Sequence, residues 1–284
     1  MKPAISVIIP TYHRNDLLAA CLDCLHPDVQ TLDSLHYEVI VSDDGQESTA
    51  QPMITDHYPW VRWVKGTHKG PAANRNNGAS VAQGEWLVFT DDDCLPQPNW
   101  LYAYARAIEA NSMINVFEGK TVADRPFQRY DEEAPVNETG GNLWSCNFCI
   151  NQHLFKQVKG FDECFPFAAM EDMDLAARLQ HSKAHQLFIP HALIIHPIRP
   201  ISPAKYAQVL TSYIYFISKH DEINFHFRIS RCKLLLSSLF RKSRKLIEFN
   251  FIGWRSYVDE HLFIAKTIFI SSNDISRSGG QKAQ

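Results

Sequence analysis

The sequence predicts an α/β fold, a mostly parallel sheet flanked by helices with a helical extension at its C-terminal end. Three observations point there. Short apolar runs rich in Val, Ile and aromatic residues alternate with helix-like stretches through the first hundred residues, and strict strand–helix alternation means βαβ units and a parallel sheet. The runs lack apolar–polar alternation, as strands buried on both faces do. Each run also ends in a polar turn, and in open α/β sheets the ligand sits outside the carboxyl ends of the strands.

The elements follow in order. A strand over 5–9 leads into Pro10-Thr11-Tyr12 and a helix near 14–25. A strand over 37–41 ends in Asp43-Asp44-Gly45 before a helix near 47–57. A third, over 61–64, runs into Gly66-Thr67-His68 and a helix near 71–83. The fourth, over 86–89, meets Asp91-Asp92-Asp93 and is followed by a helix near 99–110. Five aspartates thus converge on one rim, which repels itself unless a cation sits there. The sequence has no Walker-type glycine loop and no dinucleotide-binding glycine turn. A hard divalent cation held by Asp and bridging phosphate oxygens does that work instead.

The 284 residues are 45% hydrophobic and 21% charged, which suits one large domain with an appendage or two small domains. The net charge of −3 hides a split: residues 201–284 carry 13 Lys and Arg against 6 Asp and Glu, leaving 15 against 25 for residues 1–200. The acidic part argues against nucleic acid as a partner. The apolar start AISVIIP is too short for a secretory signal and has no small-residue cleavage pattern after it. No apolar run approaches the roughly 20 residues that span a bilayer. Seven cysteines, an odd number in a long chain, fit a reducing compartment. The expectation is a cytoplasmic protein.

SVIIPTYHR, VIVSDDG, NRNNGA, GEWLVFTDDDC, and GFDE with MEDMDLAARL, in this order across residues 4–200, resemble the family 2 glycosyltransferases. The resemblance implies the A-type glycosyltransferase fold, which is Rossmann-like, over residues 1–200. Residues 1–95 would form a nucleotide-binding half and 96–200 an acceptor half, with 201–284 as a basic helical extension ending in disorder. It implies metal-dependent, inverting transfer of a sugar from a nucleotide-diphosphate donor, by default a UDP-sugar, to an acceptor hydroxyl in surface or cell-envelope glycan synthesis. On this resemblance Pro10, Thr11, Tyr12 and Arg14 flank the nucleotide, Asp43 and Asp44 bind base and ribose, and Arg75 and Asn76 place the nucleotide or its phosphates. Asp91, Asp92 and Asp93 match the Asp-x-Asp signature: Asp93 ligates Mn²⁺ or Mg²⁺, and Asp91 lies on the ribose or in the metal's water shell. His196 falls near the metal or diphosphate. Asp172 matches the general base, while Glu171 supports it or merely carries a first-turn charge.

Spacing adds to this. Asp172, Leu175, Ala176 and Leu179 share one helical face, which draws Asp172 inward, whereas Asp174 and Arg178 read as a surface pair. Cys21/Cys24 and Cys146/Cys149 stand too far apart for a ribbon-type zinc site and read as buried small hydrophobes. DEEAPVNETGGN reads as a loop beside the acceptor cleft, with Asn147 lining the pocket by resemblance and Trp144 either stacking on a sugar or packing in the core. In the tail, Cys232, Leu235, Leu236, Leu239, Phe240, Leu246 and Ile247 fit a helical stripe beside Arg231, Arg241, Lys242, Arg244 and Lys245. Such a helix suits an anionic membrane surface, in keeping with a lipid-linked glycan acceptor and a peripheral location, or docking on the catalytic domain. Both readings stay open. The competing functions are a sugar-phosphate nucleotidyltransferase, whose glycine-rich basic loop after the first strand is missing here, and a catalytically silent sugar-nucleotide-binding module.

Overall fold

The first apolar run becomes β1 (Ile5–Thr11), buried at all seven residues. It pairs in parallel with β2 (Tyr37–Asp43) on one side and β4 (Trp86–Phe89) on the other, and β2 pairs in parallel with β3 (Val61–Lys65). The computed structural model describes residues 3–46 and 50–220, together with 247–248, 254–255, 257–258 and 261–262. Helices α1 (Asn15–Leu25), α2 (Ala50–His57), α3 (Pro71–Ser80) and α4 (Trp100–Ala110) fall where the sequence places them.

Pro10 shows how the strand ends. Ile8 accepts from the Thr90 N–H, so its backbone faces β4, and Pro10, two residues on, faces the same side. Pairing with β4 stops at Ile8, so the missing N–H of Pro10 breaks no ladder bond there. β1 stays paired with β2 as far as Thr11, which brings Thr11 and, just beyond, Arg14 to the rim.

Beyond β4 the sheet becomes mixed. It continues through β8 (Phe148–Asn151), β6 (Val116–Ala123), β9 (Gln186–His196) and β5 (Leu95–Pro96), giving the order β3-β2-β1-β4-β8-β6-β9-β5. β8 runs antiparallel to both β4 and β6, while β6 and β9 are parallel. The core lies on both faces. Val7, Ile9, Val39, Val41 and Val88 pack against Leu18, Leu22, Ile54, Trp100 and Tyr104. On the other face Ile8, Ile40, Leu87 and Phe89 meet Ala72, Ala79, Phe155, Leu175 and Leu179, contributed by α3, α5 (Gln152–Gln157) and α6 (Glu171–His181). Gly78 lets α3 lie close, since a Cβ there would stand 2.7 Å from Ile8 Cγ2.

Contacts divide the chain into two units. One comprises residues up to 125, 134–164 and 170–197; the other comprises 126–133, 165–169 and those from 198 on. The first holds the eight-stranded sheet and α1 to α6. The second holds the two-stranded ladder of β7 (Glu132–Glu133) and β10 (Arg199–Pro200), and α7 (Pro203–Lys219), capped by the Ser202 hydroxyl accepting from the Lys205 N–H. Of the tail stripe, only Ile247 is described, helical and exposed; Cys232 to Leu246 and the five basic residues beside them lie outside the described residues. Among the described residues no helix is long and apolar enough to cross a membrane.

Candidate active site

The three adjacent aspartates divide between two arginines, Asp92 and Asp93 on Arg14 and Asp91 on Arg75. Asp92 is fully buried and accepts from Thr11 Oγ1 at 2.8 Å and Arg14 Nε at 3.1 Å, with Arg14 Nη2 2.5 Å from its other oxygen. Asp93 takes Arg14 Nη1 on Oδ2 at 3.2 Å. Asp91 turns to Arg75, whose Nη2 donates at 2.6 Å. Two guanidiniums therefore relieve most of the repulsion that the sequence poses. Burial pushes the Asp91 carboxyl up, but Arg75, helped by His196 and Arg14, outweighs it and holds the carboxyl below the usual range.

Arg75 is buried on α3 and makes a second ion pair, Nη1 to Glu171 Oε1 at 3.3 Å. Its guanidinium lies 5.5 Å from the ring centroid of Phe161. Burial alone would lower its proton affinity; Asp91 and Glu171 more than reverse that. Arg75 thus ties the end of β4 to the first turn of α6, where Asp172 follows Glu171. Asp172 is partly buried, and its Oδ1 accepts from the Met173 N–H at 2.8 Å. Desolvation, then the Glu171 charge, raise its carboxyl to about 6, against the opposing pull of Arg75 and the Met173 and Ser145 backbone.

α6 is turned relative to the expected stripe. Glu171, Asp174, Leu175 and Leu179 are its buried residues. Asp174 and Arg178 are not a surface pair: Asp174 is fully buried, and Arg178 Nε donates to it at 2.8 Å. Arg178 Nη1 also donates to the Val158 carbonyl at the end of α5.

Asp43 and Asp44 are both buried and largely serve the rim's own backbone. Asp44 accepts from the His68 N–H at 2.6 Å and the Gly70 N–H at 2.8 Å, holding the turn before α3, where His68 has φ +59°. Asp43 accepts from the Gly45 N–H at 3.0 Å and Trp63 Nε1 at 3.3 Å. Asn74, which sequence reasoning passed over, binds the ends of β1 and β2 to α3: its Nδ2 donates to Ser42 O at 2.6 Å and Thr11 O at 3.3 Å. Its place one residue before Arg75 in NRNNGA was the available signal. Tyr12 stands exposed at the rim, stacked edge-on against His13.

His196 closes the rim. Its Nδ1 lies 2.8 Å from the Pro197 carbonyl, which can only accept, so in the neutral ring Nε2 is the lone-pair atom. That Nε2 lies 3.7 Å from Asp93 Oδ1. Asp93, Cys94 and His196 are all buried and offer ligand atoms within 4.8 Å of one another. A proton on Nε2 or, in the neutral ring, a divalent ion between the lone pair and the carboxylate oxygen satisfies this contact, and these residues fit such an ion. Asp91 is drawn aside to Arg75, and Cys94 joins the group in its place. Burial raises the Cys94 thiol well above its ordinary value.

The acceptor-side residues divide. Asn147 is buried with its amide spent inside: Oδ1 accepts from Trp100 Nε1 and Tyr104 Oη, each at 2.8 Å, and Nδ2 donates to Lys120 O at 2.8 Å and Ala192 O at 3.0 Å. Asn76 is spent likewise, donating to Phe161 O at 2.8 Å and accepting from the Phe161 N–H at 2.9 Å. Trp144 packs on the core and donates to Val136 O at 3.1 Å. Cys21, Cys146 and Cys149 are free and buried, as small hydrophobes, and Cys24 is partly buried.

This sheet, with its acidic rim at the carboxyl ends of parallel strands, is the A-type glycosyltransferase fold. The chain belongs to the family described as Glycosyl transferase family 2, whose sequence profile matches residues 6–176. It is similar to an uncharacterised glycosyltransferase of Haemophilus influenzae, 26% identical over 189 residues, 62% of this chain and 61% of that one. It is also similar to validoxylamine A glucosyltransferase of Streptomyces hygroscopicus, 28% identical over 218 residues, 62% and 51% of the two chains. The chain thus spans about half to three-fifths of the length of these relatives. Among solved structures, the mannosyltransferase of Pyrobaculum calidifontis in complex with GDP-mannose and Mn²⁺ superposes with a TM-score of 0.60 at 14% identity, over 93% of this chain and 86% of that one.

Proposed function

We propose that the protein is a metal-dependent inverting transferase that moves a sugar from a nucleotide-diphosphate donor, a UDP-sugar by preference, to an acceptor hydroxyl of a glycan or lipid-linked glycan. The observation that carries the reading is the Asp91–Arg75–Glu171 bridge. It joins the aspartate rim suited to a diphosphate to the helix start that holds a partly desolvated carboxylate, Asp172. A divalent ion such as the Mn²⁺ found with GDP-mannose in the Pyrobaculum enzyme is the chemistry that Asp93 and His196 fit.

Pro10, Thr11, Tyr12, Asp43 and Asp44 frame the nucleotide, with Asp43 at the base edge. Asp93 and His196 hold the cation, which when bound offsets charge developing on the diphosphate. Arg14 keeps Asp92 and Asp93 in register, and Arg75 keeps Asp91 from turning. Asp172 accepts the acceptor proton as that oxygen bonds to the anomeric carbon and the bond to the diphosphate breaks, the diphosphate leaving with the electron pair. One displacement from the opposite face inverts the centre, with no covalent enzyme intermediate. Trp144 and Glu171 border the acceptor, while Asn147 acts by holding the walls. The basic tail gives such an enzyme a hold on an anionic membrane.

The test is thermal stability against UDP, GDP, CMP and dTDP, each with and without Mn²⁺. A ligand that binds only the folded state raises its melting point. The expected result is a shift with one nucleoside diphosphate that requires the metal and disappears in Asp93→Ala. A shift with none, or one indifferent to Mn²⁺, contradicts the proposal.

A further inference from the structure

The residue that ends the aspartate run is a cysteine, and its sulfur does more than fill the core. Cys94 Sγ lies 3.9 Å from Asp93 Oδ1, the same oxygen that faces His196 Nε2 at 3.7 Å. All three ligand atoms lie within 4.8 Å of one another, and all three residues are buried. In a tetrahedral site with metal–oxygen and metal–nitrogen bonds of about 2.0–2.2 Å and metal–sulfur bonds of about 2.3 Å, neighbouring donors stand about 3.3–3.7 Å apart. Two of the three edges are already close to that. The Pro197 carbonyl fixes the imidazole with its Nε2 lone pair inward, as the outer partner of a ligating histidine does. Carboxylate, imidazole and thiol together are a donor set for a thiophilic cation.

We propose that Cys94 is a conditional third ligand of the cation site. Zn²⁺ or Cd²⁺ recruits Asp93, Cys94 and His196 together, whereas Mg²⁺ and Mn²⁺ use Asp93 and His196 alone. The proposal rests on the reading that puts a divalent cation at Asp93 and His196. As the sulfur–cation bond forms, the thiol proton leaves to solvent. Mg²⁺ and Mn²⁺ prefer oxygen donors and gain little from sulfur, so with them Cys94 stays a protonated core side chain. Zinc therefore competes with the working cation for the same residues.

The full chain is used with Cys164→Ser and Cys232→Ser, because Cys164 is exposed and Cys232 lies outside the described residues. Cd²⁺ is the probe, since its bond to a thiolate absorbs in the ultraviolet. The expected result is a saturable charge-transfer band that Cys94→Ser abolishes. Cd²⁺ affinity should fall by at least the order of 10–100-fold seen when even the outer partners of a metal ligand are removed. Mn²⁺ affinity, read from the electron paramagnetic resonance of free Mn²⁺, stays the same. Cadmium NMR of the chain with Cys94 intact reads the sulfur bond even if that variant does not fold. No band, a band that survives Cys94→Ser, or equal weakening of Cd²⁺ and Mn²⁺ overturns the proposal. Asp93→Asn separates the two readings: if it leaves Mn²⁺ binding intact, the cation site itself is misplaced. If it removes Mn²⁺ while Cys94→Ser leaves Cd²⁺ unaffected, only the role of Cys94 fails.

Discussion

Asp172 sits where catalysis and stability pull apart. Its carboxyl is raised from 3.8 to about 6, so the folded chain holds this proton more tightly than the unfolded chain does. The contribution is fully present below 3.8 and is lost as pH rises through about 6. At neutral pH the ionised carboxylate therefore costs stability, about 1–2 kcal/mol once its partial exposure is allowed for. Asp172→Asn is expected to abolish transfer while raising the midpoint of a denaturant melt at pH 7. In the native enzyme kcat/KM should rise with pH through about 6, because a base must be ionised to accept a proton. Arg75 behaves oppositely. Arg75→Met leaves Asp91 and Glu171 without their cation, at about 3 kcal/mol by denaturant melt, the lower end for a broken buried pair since the Asp91 side chain is 22% exposed. It also removes a charge that lowers the Asp172 carboxyl, so the acidic limb of the pH profile should move to higher pH. The spacing of Asp172 with Leu175 and Leu179 pointed it inward, but α6 is turned so that Glu171 and Asp174 take the buried face and Asp172 is only partly buried. The arginine bridge was not legible, because Arg75, Asp91 and Glu171 are distant in sequence and meet only where α3, the turn after β4 and the start of α6 converge.

Among the elements, β1 to β4 and α1 to α4 were readable because each is an unbroken apolar run or a well-marked helix beside a turn. β6 and β9 were not read as strands. In β6 the run VFEGKTVA carries Glu118, Lys120 and Thr121, which in isolation suggest a loop. The structure buries Glu118 with partners of its own, since its Oε2 accepts from the Gly141 N–H at 2.7 Å and the Asn142 N–H at 3.0 Å, pinning the glycine-bearing segment. In α6 the Asp174–Arg178 pair reaches the Val158 carbonyl of α5, a partner distant in sequence that a helical stripe does not report. The close approach of α3 to β1 is testable. Gly78→Ala places a methyl 2.7 Å from Ile8 Cγ2, so a loss of about 1–3 kcal/mol is expected by denaturant melt, with the α3 amides exchanging faster. An unchanged midpoint would mean that α3 can back away from the sheet without cost.

For the whole molecule, the opposed charges of the two sequence regions predict a salt-sensitive surface interaction. With 13 Lys and Arg against 6 Asp and Glu after residue 200, the full chain should sediment with anionic vesicles at low ionic strength. That binding should fade as the screening length shortens to about 3 Å near 1 M salt. Binding that ignores salt, or appears equally on neutral vesicles, would contradict the charge argument. Asn147 gives a different test, because its amide joins β6, β9 and α4. Asn147→Ala leaves the Trp100 N–H and Tyr104 hydroxyl buried without their acceptor, for a loss of about 3 kcal/mol or more by denaturant melt. The KM for acceptor should change little in the variant that remains folded. A large KM change with normal stability would return Asn147 to the pocket.

Asn147 therefore behaves like the keystone of an arch: its amide locks two strands and a helix together from within, and under the proposed function it would keep the acceptor's passage at its width without meeting the acceptor. Anyone seeking to retune acceptor choice on this frame should leave that amide alone and vary the residues it props up.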